Sequence, residues 1–96
     1  MKLVVIIHSI VIEPPVADVL RASGIHSYTK LPVAHGQGRG SEPKFDSVVC
    51  PGRNSILLVA TEDTEAEALM TKVSELCRQF RTEGIKAFML PVDAAT

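Results

Sequence analysis

Lys2-Leu3-Val4-Val5-Ile6-Ile7-His8-Ser9 is the stretch from which the fold is read. Leu3 to Ile7 are five consecutive aliphatic residues, four of them β-branched. Such side chains are stiff at χ1 and favour extended backbone, and apolar residues at both parities indicate a strand buried on both faces. Ser55–Ala60 (SILLVA) repeats the pattern. Two strands of this kind belong in the centre of a sheet, and the segments around them must supply the edges and the cover.

After the first strand, Pro14-Pro15 halts extended structure and suits the first turn of a helix, where a missing N–H costs little. Val16, Val19 and Leu20 then recur at helical spacing, and Ser23-Gly24 ends the helix, with Gly24 able to adopt the left-handed conformation. Ile25–Val33 alternates, with Ile25, Ser27, Thr29, Leu31 and Val33 on one face, and Pro32 marks it as an edge strand because proline cannot donate. Residues 34–54 (AHGQGRGSEPKFDSVVCPGRN) break all periodicity and hold four of the six glycines. A loop that long in so short a chain points to function. Beyond the SILLVA strand, Thr64 and Glu67 match a capping box opening a helix with Leu69, Val73, Leu76, Cys77 and Phe80 on one stripe. Arg78 and Arg81 favour its last turn, Gly84 terminates it, and Ile85–Pro91 (IKAFMLP) is the last strand.

The order β-α-β-β-α-β predicts an α+β, ferredoxin-like sandwich. It has a four-stranded antiparallel sheet of order 4-1-3-2 with two helices on one face, and residues 1–96 form a single domain. Strands one and three are then central, in agreement with their double-sided apolarity. The helices cover one sheet face only. The apolar residues on the other face exceed what a soluble monomer exposes, which predicts self-association.

Composition narrows function. Ten Lys+Arg against eleven Asp+Glu give a net charge of -1, and aromatic residues make up 4% with no Trp. Neither a basic field nor a stacking platform for nucleic acid is present. Cys50 and Cys77 follow no zinc spacing. They read as free thiols of a reduced, cytoplasmic protein, with a disulfide as the alternative. The apolar run from Leu3 to Ile12 is interrupted by His8-Ser9 and is too short to span a bilayer, so no membrane insertion is expected.

The richest chemistry lies in Val33-Ala34-His35-Gly36-Gln37-Gly38-Arg39-Gly40. Alternating glycines let backbone N–H groups approach an anion, and Arg39 offers a bidentate phosphate donor; the competing reading is a flexible loop with ordinary surface arginines. Lys44 and Arg53 share the loop. It is neither a Walker loop nor a dinucleotide fingerprint. His35 and Cys50, with Glu42 or Asp46, form an alternative metal set. No nucleophile elbow or zinc-protease motif occurs, and the place of an acylphosphatase phosphate loop, Ser9–Pro15, lacks the Arg that chemistry needs, so no enzyme is expected.

Several stretches resemble the PII superfamily of signalling proteins, especially its divergent PII-like branch. Gly24-Ile25-His26-Ser27-Tyr28-Thr29 resembles the second strand of that family, with Ser27 in place of a glycine. The glycine string from Val33 to Gly40 resembles the opening of the T-loop. Gly84-Ile85-Lys86-Ala87-Phe88-Met89-Leu90-Pro91-Val92 resembles the end of the B-loop and last strand, and Pro51-Gly52-Arg53-Asn54-Ser55 resembles a turn recurrent in PII-like proteins. The resemblance implies a homotrimer binding an adenine nucleotide in clefts between subunits. Thr29 would contact the base, and Gly36, Gly38, Arg39 and Lys86 the phosphates. Loop 34–54, through Gln37, Lys44, Phe45 and Arg53, would engage a membrane transporter or a regulated enzyme. Ile85 replaces a glycine before the lysine, and Tyr28 is the only tyrosine, so no uridylylation site lies in the loop. ADP, AMP, a cyclic nucleotide or bicarbonate therefore stands beside ATP as a possible effector. A metal-sensing or heavy-metal-tolerance trimer of CutA type and a ligand-free adaptor trimer are the alternatives.

Overall fold

The computed structural model describes residues 1–37 and 52–96. Strands β1 (Lys2–Ser9), β2 (Thr29–Ala34), β3 (Asn54–Thr61) and β4 (Ile85–Pro91) form one antiparallel sheet in the order β2-β3-β1-β4. This is the expected 4-1-3-2 order read from its other edge. Helices α1 (Glu13–Ala22) and α2 (Asp63–Gln79) complete the βαββαβ chain, and a single 3₁₀ turn (Ile10–Ile12) leads from β1 into α1.

One core joins helices and sheet. Val4, Ile6, Leu57, Val59 and Ile85 meet Val16 and Leu20 of α1 and Ala66, Leu69, Val73 and Leu76 of α2, all buried. The register explains the selection. Val4 pairs with Val59 and Met89, so they share the helix-covered face, whereas Val5 pairs with Leu58 and Phe88 on the other face. On that outer face Leu3, Val5, Ile7, Ile56 and Leu58 stay only half-buried, and Leu31, Phe88 and Leu90 are 47%, 54% and 45% exposed. Among the described residues nothing covers the second apolar face inferred from sequence.

Three local expectations are corrected. The second strand starts at Thr29, not Ile25. The reason is the end of α1: Gly24 sits at φ 74°, its N–H donates to Arg21 O at 3.0 Å, and Ile25 N–H donates to Leu20 O at 2.9 Å. This paired closure needs the left-handed glycine and buries Ile25 over Leu20, so that residue serves the helix and not a strand. The capping box of Thr64 and Glu67 does not form. Glu62 holds the N-cap position in extended backbone without a side-chain cap, which places Thr64 inside the helix. At its far end α2 closes on Phe80, four residues before Gly84, so Gly84 is not its terminator.

Candidate functional site

The carboxyl end of β1 ties two loops together. Ser9 N–H donates to Gly84 O at 2.8 Å, and Ile10 N–H donates to Arg53 O at 3.2 Å. The first bond anchors the α2–β4 connection, and the second anchors the return of the long connection between β2 and β3. Both loops are thereby held at the same end of the sheet. Pro32 O accepts from Ser55 Oγ at 3.0 Å, which fixes β2 beside β3 around the register shift between Leu31 and Ala34.

Between these loops lies a cleft of about 420 Å³. Ala34, His35, Gly36 and Gln37 form one wall, and Glu83, Gly84, Ile85 and Lys86 form another. Ile7 and Ile56 make an apolar floor, and Phe80 and Arg81 close the side next to α2. Phe80 has this position because α2 ends on it, its N–H still bonded to Leu76 O at 2.8 Å. Arg81 and Lys86 make no ion pair among the described residues, so the cleft gathers two cations beside the carboxylate of Glu83 without a salt bridge. Concavity, an apolar floor and convergent cations are what an organic anion needs.

Asn54 also lines the cleft. Its Oδ1 is buried and without a hydrogen-bond partner among the described residues, and a Cβ on Gly36 would lie 3.0 Å from its Nδ2. Gly36 therefore serves close approach: a side chain there would press on the Asn54 amide. Deeper in the core, below this end of the sheet, His8 is 1% exposed and its Nδ1–H donates to Ser9 O at 2.9 Å. Burial holds its pKa below the usual 6.5 against the raising effect of that bond, and the charge of Lys30 lowers it further.

Of the residues singled out in the sequence, Gly36, Gln37, His35 and Lys86 come together in the cleft. Thr29 does not: it pairs with Leu58 on the edge strand β2, while Lys86 lies on the opposite edge strand β4. Arg53 is exposed and contributes its carbonyl to Ile10. Gly38, Arg39, Lys44, Phe45 and Cys50 lie outside the described residues, and the metal pair His35 and Cys50 is therefore represented by His35 alone. Among the described residues no three His, Cys, Asp or Glu side chains are grouped as a metal site. No helix among them is long and apolar enough to cross a membrane. Sequence reading missed Arg81, Glu83, Asn54, Phe80 and Cys77 as cleft residues. Arg81 and Phe80 were assigned to the helix, and only the early closure of α2 releases them.

The architecture is shared with solved structures. A candidate PII-like signalling protein from Thermus thermophilus is 23% identical, with a TM-score of 0.65 over 92% of this chain and 82% of its own. CPII, a nitrogen regulatory PII-like protein from Thiomonas intermedia K12 solved with ADP, AMP and bicarbonate, is 15% identical. Its TM-score is 0.72 over 99% of this chain and 92% of its own. A second CPII structure, with ADP and bicarbonate, gives 14% identity and a TM-score of 0.71 over 97% and 88%. No curated protein matches the chain at a significant level. At these identities the structural neighbours establish the fold alone. The sequence model of the nitrogen regulatory protein P-II family matches residues 1–96, and the chain therefore belongs to that family.

Proposed function

We propose that the protein is a trimeric PII-like regulator that binds an adenine nucleotide in clefts between subunits and acts on a partner transporter or enzyme through loop 34–54. The observation that carries this reading is the 420 Å³ cleft, which joins the start of the glycine loop to Lys86 and adds Arg81, neither cation being ion-paired among the described residues. Family membership supplies the regulatory role, and CPII, with ADP and AMP bound, supplies the chemical class of effector.

Two features favour assembly. The outer face of the sheet is apolar and open, a surface that self-association removes from water. Thr29 and Lys86 also sit on opposite edges of the sheet, separated by β3 and β1. From strand spacing and rise they are roughly 16 Å apart within one chain. A ligand that meets both is then most simply held across a subunit boundary, with Thr29 of one copy facing Lys86 of the next. Domain extent follows the same reading: residues 1–96 act as one unit with 34–54 as its signalling loop.

The test is thermal unfolding with ADP, AMP, ATP and cyclic AMP, together with the solution mass by light scattering. An effector at a hundredfold excess over Kd stabilises the folded state by about 2.7 kcal/mol. A mass three times that of the chain and stabilisation by at least one of these nucleotides are expected. A monomer unresponsive to all four would overturn the reading.

A further inference from the structure

Arg81, Glu83 and Lys86 line the same cleft, and among the described residues none of the three makes an ion pair. Glu83 is half-buried, and its N–H donates to Phe80 O at 3.2 Å, which holds its backbone against the end of α2. The three line one cleft, so phosphates bound in it lie in the field of two cations and one carboxylate, a formal sum of one positive charge. In the sequence of segment 38–51, Arg39 and Lys44 are balanced by Glu42 and Asp46, and the whole chain carries -1.

We infer that Glu83 tempers the charge preference of the cleft, weakening its hold on each additional phosphate of a bound nucleotide. The inference rests on the nucleotide reading proposed above and adds to it the residue that discriminates. Each further phosphate brings about one more negative charge at neutral pH. At about 8 Å and the dielectric of water, one charge pair changes affinity about twofold, and more as water is excluded. Removing the carboxylate therefore helps ATP more than ADP, and ADP more than AMP.

The experiment is calorimetric titration of AMP, ADP and ATP into the wild-type protein and the isosteric variant Glu83→Gln at low ionic strength. Orthophosphate, pyrophosphate and tripolyphosphate form a second series without a base, and circular dichroism with Glu83→Ala as a further variant controls for folding. Glu83→Gln is expected to tighten all three nucleotides, with a gain for ATP about fivefold larger than that for AMP. An equal gain for all three, or weaker binding because the carboxylate accepts a ligand hydroxyl, overturns the role of Glu83 while the nucleotide reading stands. If no nucleotide binds but the inorganic series shows the charge-graded gain, the nucleotide reading fails and the role of Glu83 stands. Silence in both series overturns both.

Discussion

Lowering the pH tests how the buried His8 supports the end of the sheet that carries the cleft. His8 is enclosed on the helix-covered face, paired with Ser55 and Ile85, and its ring donates to Ser9 O. Lys30 is the cation that acts on it, and Lys30 is itself ion-paired with Glu13. Burial lowers its pKa from 6.5, so in the acidic window the unfolded chain binds a proton that the folded one refuses. Stability therefore rises with pH through that window: it is fully present above about pH 6.5 and is lost as pH falls below it. For one group the loss is at most about 1.4 kcal/mol per unit of pH. Urea unfolding at fixed protein concentration reads this as a midpoint that drops on acidification. His8→Asn keeps a side-chain N–H for the carbonyl of Ser9 but cannot titrate, and its midpoint is expected to stay flat over the same range. A wild-type midpoint that is flat from pH 7.5 to 5.5, or a variant that falls as steeply as wild type, refutes the argument.

Substitutions at two further positions separate assembly from folding. Leu58→Lys places a charge in the middle of the outer face, opposite Val5 and Thr29, where a packed interface would bury it at a cost of several kcal/mol. Light scattering should then find single chains with a native circular dichroism spectrum; an unchanged assembly would remove this face from the interface. At Gly24, whose φ is 74° and whose absent Cβ meets nothing within 4 Å, Gly24→Ala carries backbone strain without a clash. A loss of about 1 kcal/mol in chemical unfolding is expected, and less for Gly24→Asn, because Asn tolerates the left-handed region. Equal stability of wild type and the Ala variant would count against the closure of α1 described above.

The sheet was legible because its central strands carry their signal in every residue. Leu3 to Ile7 and Ile56 to Val59 have apolar side chains at both parities, so no one-residue error could hide them, and β4 appears at its expected limits, Ile85–Pro91. Ends were harder. The alternation of Ile25, Ser27 and Thr29 imitates a strand, yet the Ile25 amide is committed to Leu20 O at the close of α1. Thr64 and Glu67 have the spacing of a capping box, but spacing does not state where the first turn begins, and Glu62 takes that place. The cleft was half legible for a similar reason. Glycines and Lys86 announce themselves by pattern, whereas Arg81 joins the site only because α2 stops at Phe80, and Asn54 only because Gly36 packs against its amide. These are consequences of three-dimensional closure that no local window contains.

The central claim, a ligand site completed by two subunits, is tested most directly by mixing two defective chains. Thr29→Ala and Lys86→Ala are each expected to lose most nucleotide binding as homotrimers. Co-refolded in equal amounts, they would form the proposed trimers, in which a cleft is intact when Thr29 comes from one chain and Lys86 from its neighbour. Random assembly makes that about one cleft in four under cyclic symmetry. Recovery of about a quarter of the wild-type ADP stoichiometry is predicted. If the site lay within a single chain, every subunit would still carry one lesion, and absence of any recovery would contradict the account.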